Sequence, residues 1–189
     1  MKHGLLVIIS SPSGGGKNSV INALMADFSG SVRLVTTTTR PMRPGEQDRV
    51  DYYFISDAVF HAKLAAGDFV EHNKYDSYWY GTDRKRLQQL LSEYRLVFSQ
   101  IEVNGKHALD RAGIKNVSIF LLPENFAVLR ERIIKRGGLS EDRIAERLQT
   151  AKQEIVASAD YDHRIVNVEG KFAETVGEIR RILTEATRS

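Results

Sequence analysis

The sequence contains no cysteine, so disulfide bridges and thiolate-held metals are excluded as sources of stability or chemistry. It also lacks any apolar stretch approaching the roughly 20 residues that a membrane-spanning helix needs. Met1-Lys2-His3 lead straight into an apolar strand without the layout of a signal peptide, and a soluble cytoplasmic protein is the expectation. There is no long basic tract either: 27 Lys and Arg stand against 24 Asp and Glu, a net charge of +3. That balance suits phosphorylated small molecules as well as nucleic acid, so charge alone decides nothing; as partners, no nucleic acid polymer and no membrane are expected. Internal repeats and low-complexity segments are missing too. What remains, at 189 residues, is one full core with room for a small inserted lobe.

The most informative stretch is Ser10-Ser11-Pro12-Ser13-Gly14-Gly15-Gly16-Lys17-Asn18-Ser19, which follows the apolar run Leu5-Leu6-Val7-Ile8-Ile9. A buried strand running into a glycine-rich turn that ends in lysine reads as a phosphate-binding loop. Glycines let backbone N–H groups approach phosphate oxygens, the following helix offers its positive end, and Lys17 adds a mobile charge. The spacing departs from G-x-x-x-x-G-K-[ST] at both ends, with Ser11 for the first glycine and Asn18 for the hydroxyl residue.

Strand-like runs recur at Leu5 to Ile9, Val32 to Val35, Leu96 to Ile101, Val117 to Leu122 and His163 to Val166. Helical patterns separate several of them, such as Val20, Leu24 and Met25, then Phe126, Leu129, Ile133 and Ile134, and finally an amphipathic Phe172 to Ala186. This alternation predicts an α/β fold with a mostly parallel sheet covered on both faces. Between Thr36 and about Leu90 the rhythm changes. Pro41, Pro44 and Gly45 punctuate the chain, and tyrosine-rich segments at Asp51 to Ile55 and Tyr75 to Tyr80 predict short strands of an inserted lobe.

That lobe opens with Thr36-Thr37-Thr38-Thr39-Arg40-Pro41-Met42-Arg43-Pro44-Gly45-Glu46. Two arginines in a proline-stiffened, hydroxyl-rich loop suit a phosphate monoester, because guanidinium forks bind phosphate bidentately. Asp51-Tyr52-Tyr53-Phe54, Glu71 and Tyr78-Trp79-Tyr80-Gly81-Thr82 follow, supplying an aromatic wall and a carboxylate acceptor. The five histidines show no metal-ligand spacing.

From Leu5 to about Ile182 the chain resembles the guanylate kinase family, and the T-T-R-x-x-R-x-G-E then D-Y-x-F pattern carries the resemblance better than the glycine loop does. The resemblance implies a single domain over 1–189, with a phosphate-loop core (1–35 and 91–189), an inserted monophosphate-binding lobe (36–90) and a helical lid at about 133–147. It implies transfer of the γ-phosphoryl group of ATP, with Mg2+, to GMP or dGMP. Carried over, Ser13, Gly14, Gly15, Gly16, Lys17, Asn18 and Ser19 would cradle the donor phosphates, with Asn167 near the donor base. Arg40, Arg43, Tyr52 and Tyr80 would hold the acceptor phosphate, and Thr36, Glu71 and Thr82 would contact guanine, whose adjacent N1–H and N2–H a carboxylate can accept together. Arg132, Arg136 and Arg147 would act on the transferred group, with Gly137-Gly138 as a hinge, and with Lys17 and Arg40 they make up the expected catalytic set.

The family usually carries an aspartate pair where this chain has Gln100-Ile101-Glu102, before Val103-Asn104-Gly105. Gln100 and Asn18 thus remove a carboxylate and a hydroxyl from the expected metal environment, and neither is a confident ligand. Glu102 keeps a carboxylate for guanine or a metal-bound water. Two alternatives remain open on sequence: a kinase-like nucleotide-binding domain with impaired chemistry, and a kinase for another phosphorylated acceptor such as ribose 1,5-bisphosphate. The second arises because Lys17-Asn18-Ser19 and Val103-Asn104-Gly105 resemble segments of ribosyl bisphosphate phosphokinases.

Overall fold

The computed structural model describes residues 4–75, 77–135 and 140–188. In chain order the elements are β1 (Leu5–Ser10), α1 (Lys17–Asp27), β2 (Ser31–Arg33), β3 (Thr37–Thr38), β4 (Tyr53–Phe54), α2 (Asp57–Ala65), β5 (Phe69–Tyr75), β6 (Tyr78–Asp83) and α3 (Arg84–Glu93). They continue with β7 (Leu96–Ser99), α4 (Val103–Arg111), β8 (Asn116–Pro123), α5 (Phe126–Lys135), α6 (Glu141–Ala157), a 3-10 turn (Ser158–Asp160), β9 (His163–Asn167) and α7 (Phe172–Ala186). A five-stranded sheet runs in the order β2-β7-β1-β8-β9, and β2 with β7 and β8 with β9 pair in parallel. This is the α/β architecture with a helix-flanked parallel sheet that the strand–helix alternation predicts. The chain divides into two compact units.

One unit comprises Val7–Ser29, Gln100–Val103 and Val117–Ser189. Its strands read as nearly unbroken apolar runs because both faces are covered: Val7, Ile8, Ile9, Ile119, Phe120 and Leu121 are fully buried. Val20, Ile21 and Leu24 on α1 and Val176, Ile179 and Leu183 on α7 recur at helical spacing and turn into this core. Leu129 and Ile133 on α5 pack with Ile144 and Ala151 on α6 in a smaller cluster that joins those two helices.

The other unit comprises Met1–Leu6, Gly30–Ser99 and Asn104–Asn116. It contains a four-stranded sheet ordered β4-β3-β6-β5, in which β6 runs antiparallel to both β3 and β5. Phe60 on α2 anchors it, with ring centroids 4.5 Å from Phe69 and 5.8 Å from Trp79. Gly81 is required beneath those rings, because a Cβ there would lie 2.9 Å from Phe69 Cδ1.

Three sequence expectations change in detail. The strand expected at Val32 to Val35 spans Ser31–Arg33. The strand expected over Leu96 to Ile101 ends at Ser99, and the Ile101 carbonyl instead accepts the Ser10 hydroxyl at 2.6 Å. The single strand expected over Tyr75 to Tyr80 is two strands, β5 and β6, with Ser77 between them in the left-handed region at φ 71°. The polar run Glu71-His72-Asn73-Lys74 hides β5 from a search for apolar alternation.

Candidate active site

The phosphate loop is built by the end of β1 and the start of α1. Gly14 and Gly16 adopt φ of 92° and 88°, the left-handed region that glycine enters without steric cost. Gly15 is needed for space rather than φ: a Cβ there would lie 2.3 Å from Ser11 Oγ and 3.0 Å from the Pro12 carbonyl, to which Gly15 N–H already donates at 2.9 Å. Gly16 caps α1 without a side-chain hydrogen bond, and the first turn carries no acidic residue. The helix therefore starts with donors and a positive end suited to phosphate.

Lys17 donates to the Ser11 carbonyl at 2.6 Å, folding its amine back over the loop, with Glu102 Oε1 4.0 Å away. Ser11, in the place of the motif's first glycine, supplies that carbonyl. Asn18 and Ser19 are exposed on the first turn of α1. Asn167, expected near the donor base, is buried, donates from Nδ2 to the Gly15 carbonyl at 3.1 Å and accepts from Thr175 at 3.2 Å. These contacts brace the loop from β9 and α7.

The arginines of α5 and α6 also engage this unit. Arg147 Nη1 donates to Ser13 Oγ at 3.2 Å, and Arg132 pairs with Glu169, its Nε lying 3.0 Å from Oε2. That pairing holds the Glu169 carboxyl below its ordinary range. Arg136 and the Gly137-Gly138 hinge lie outside the described residues.

In the other unit, the loop after β3 closes on Glu46. Arg40 is buried and donates from Nη2 to Glu46 Oε1 and from Nη1 to the Pro41 carbonyl, both at 2.7 Å. Glu46 Oε2 accepts from Arg43 N at 2.8 Å. Burial acts to raise the Glu46 carboxyl, but the Arg40 and Arg43 hydrogen bonds outweigh it and keep the group below the usual glutamate range. The guanidinium of Arg40 lies 5.5 Å from the Tyr52 ring centroid, and Tyr52 meets Tyr80 edge-on at 5.9 Å. Arg40, Tyr52 and Tyr80 are thus brought together, with the Arg43 side chain exposed beside them. Glu46, whose role the sequence alone does not announce, fixes the Arg40 side chain and the Arg43 backbone through the turn.

Register places Glu71 on β5 opposite Thr82 on β6. Thr82 Oγ1 donates to Glu71 Oε1 at 2.5 Å, and both residues are buried. Burial raises the Glu71 carboxyl to about 7, against the opposing hydrogen bonds from the Thr82 hydroxyl and backbone. Thr36 is buried just before β3, and its carbonyl accepts from Tyr53 N at 2.9 Å. Glu102, expected at the acceptor, is engaged by Lys17 and by Glu154.

Comparison with known proteins shows the family of the chain. The family model for guanylate kinase matches residues 3–186. A guanylate kinase of Rickettsia bellii is 39% identical over 184 residues, covering 96% of this chain and 94% of the relative. Another from Symbiobacterium thermophilum is 37% identical over 180 residues, covering 95% and 84%. The crystal structure of guanylate kinase from Anaplasma phagocytophilum superposes with a TM-score of 0.80 at 28% identity, over 100% of this chain and 89% of that one. Shikimate kinase from Bacteroides thetaiotaomicron, at 14% identity and a TM-score of 0.53, shares the fold alone.

Proposed function

The chain belongs to the guanylate kinase family and phosphorylates GMP with ATP, and we propose how its residues divide that work. The donor phosphates of ATP lie along Ser13 to Ser19, where Gly14, Gly15 and Gly16 present backbone donors and Lys17 leaves the Ser11 carbonyl for a phosphate oxygen. Arg40 and Arg43, stiffened by Glu46, take the phosphate of GMP, with Tyr52 and Tyr80 as hydroxyl donors. Glu71 accepts guanine N1–H and N2–H, and Thr36 and Thr82 complete the base contacts. Thr82 acts first as the donor that keeps Glu71 aimed.

Phosphoryl transfer asks little covalent work of the protein, so cationic groups aimed at developing charge carry the rate. Arg147 is preplaced over Ser13. Arg132 must exchange Glu169 for the migrating phosphoryl, so the free protein keeps that guanidinium occupied until substrate arrives. Arg136 is assigned to the same work by the resemblance alone.

Magnesium is assigned as part of the substrate, Mg–ATP, rather than as a resident ion. Among the described residues no group of three or more His, Asp or Glu side chains is placed to hold a metal. Asn18 offers only a neutral amide, and the Glu102 carboxylate is already engaged. Magnesium that keeps most of its water and binds through substrate phosphates needs no such cage.

The observation that carries this reading is the buried Glu71–Thr82 pair: a carboxylate held at the edge of ionisation is the partner that two adjacent N–H donors reward. A coupled ADP-release assay across GMP, dGMP, AMP and ribose 1,5-bisphosphate, with a no-acceptor control, is the test. Turnover confined to GMP and dGMP is expected, and Glu71→Gln should lose most of the preference for GMP. Equal turnover of AMP, or turnover only with ribose 1,5-bisphosphate, overturns the assignment.

A further inference from the structure

Two helical threonines turn their hydroxyls back on their own helix: Thr150 Oγ1 donates to the Glu146 carbonyl at 3.0 Å and Thr184 Oγ1 to the Arg180 carbonyl at 2.7 Å. Thr175, near the start of α7, sends its hydroxyl out of the helix instead, to Asn167 Oδ1 at 3.2 Å. Asn167, at the end of β9, donates in turn from Nδ2 to the Gly15 carbonyl at 3.1 Å. Both side chains are buried. Chemistry fixes the direction of each bond. The Gly15 carbonyl can only accept, so the amide must turn its NH2 group to the loop and its oxygen to Thr175, whose hydroxyl then has to donate. An amide turned the other way would set two oxygens face to face.

We propose that Thr175 is a positioning residue for ATP: its hydroxyl holds the Asn167 amide in the one orientation that ties back the Gly15 carbonyl and aims the glycine loop at the donor phosphates. This rests on the reading of Gly14 to Lys17 as the cradle for those phosphates. The Gly15–Gly16 peptide is trans and planar, so its carbonyl and its N–H point in opposite directions. Holding the Gly15 oxygen against Asn167 therefore turns the Gly16 N–H to the other side, at the start of α1 where donors gather. The same amide packs close to Gly16, whose left-handed φ of 88° leads the loop into the helix: a Cβ there would lie 3.1 Å from Asn167 Nδ2. Without the hydroxyl, the buried Asn167 oxygen loses its donor, and the amide is held from one side only. An aiming orientation kept for about one tenth of the time would raise the apparent Kd about tenfold.

The test compares Thr175→Val, which keeps the branched shape and loses the hydroxyl, with Thr175→Ser, which keeps the hydroxyl. In the full chain at saturating GMP, KM for ATP should rise about tenfold in Thr175→Val and stay within about twofold of the parent in Thr175→Ser. In both variants kcat and KM for GMP should stay within about twofold, because the bond acts on binding of the donor alone. Magnesium tripolyphosphate, which carries the phosphates without a base, should compete with Mg–ATP and lose the same factor in Thr175→Val. An unchanged KM for ATP in Thr175→Val overturns the proposal. So does an equal loss in Thr175→Ser, which would mark packing of the methyl group, or a loss for Mg–ATP that tripolyphosphate does not share, which would place the effect at the base. Should Thr175→Val fail to fold, Thr175→Ala, a better helix former, makes the same comparison. Failure of the parent to bind either probe would instead sink the phosphate-loop reading itself, which distinguishes the two failures.

Discussion

Glu71 is buried and Glu154 half-buried, and both carboxyls are raised above the ordinary glutamate range, yet their surroundings differ in kind. Glu71 sits between strands with a threonine hydroxyl as its hydrogen-bond partner, and burial alone lifts it, to about 7. Glu154 sits on a helix against a second carboxyl and a lysine, and both burial and the neighbouring charge lift it. The difference teaches what each region needs. A carboxyl proposed to read guanine must ionise when two N–H donors arrive, whereas a second carboxyl beside a proposed phosphate site adds repulsion whenever it ionises.

Deleting the cation should break the comparison most severely. Lys17→Ala leaves Glu102 and Glu154 without their shared positive neighbour and removes the mobile charge from the donor phosphates. We expect kcat to fall on the order of 10²–10³-fold, the typical loss for one charge-stabilising donor. GMP binding, measured by calorimetry, should change by less than about threefold. A large loss of GMP affinity would mean that the two regions are not the separate binding elements assigned here.

Next comes Glu71→Gln, which separates function from stability at one atom pair. Losing the anionic acceptor for two guanine donors should lower kcat/KM for GMP by roughly 10–100-fold. The same change should stabilise the free protein in mildly alkaline solution. Because the folded Glu71 carboxyl is raised from the ordinary 4.5 to about 7, its contribution to stability is greatest below about 4.5 and is lost as pH rises through about 7. That loss is on the order of 3 kcal/mol. Thermal melting of the parent should therefore fall between about pH 5 and pH 8 with a slope that the Gln variant lacks. Parallel melting curves for the two proteins would show that Glu71 is not the source.

Glycine offers a sharper version of the contrast, with a smaller effect. At Gly81 a Cβ would press into Phe69 and Phe60, rings that already stack on each other and have nowhere to retreat. Gly81→Ala should cost about 1–3 kcal/mol of stability. Its KM for GMP should rise, because β6 carries both Tyr80 and Thr82, while Kd for Mg–ATP stays near the parent value. Urea denaturation and paired binding titrations would check both halves.

Legibility in the sequence follows the same division. The glycine loop and the arginine pair after β3, proposed to hold the donor and acceptor phosphates, each lie in one continuous segment whose residue types suggest that chemistry. The pairing of Glu71 with Thr82 was half readable: each residue matched a family position, but β5 was obscured by its own polar residues, so the register that joins them was not. Glu46 lay in plain view in the motif, although its hold on the Arg40 guanidinium and the Arg43 backbone appears only once the turn is closed. The approach of Glu102 to Lys17 at 4.0 Å was not legible, because the two residues come from separate segments and no spacing rule announces it. Asn167 shows the converse, a matched position whose amide is committed to bracing the loop.

The smallest expected effect concerns the most conspicuous departure from the loop motif. Asn18 stands where a magnesium-binding hydroxyl is usual, and the sequence alone leaves open that its chemistry is impaired. In the structure Asn18 is exposed on the first turn of α1, with Ser19 beside it, while the loop's shape is set by the φ of Gly14 and Gly16, by the Gly15 contacts and by Asn167. None of those determinants passes through the side chain at 18. If magnesium arrives on ATP and is held mainly by phosphate oxygens and water, a hydroxyl at 18 replaces one water contact by another oxygen contact of similar strength. Asn18→Ser should therefore change kcat by less than about threefold, and the magnesium concentration for half-maximal rate by a similar factor. A gain of a hundredfold or more would show that this loop depends on a protein-held ion, and would move magnesium from substrate to resident cofactor.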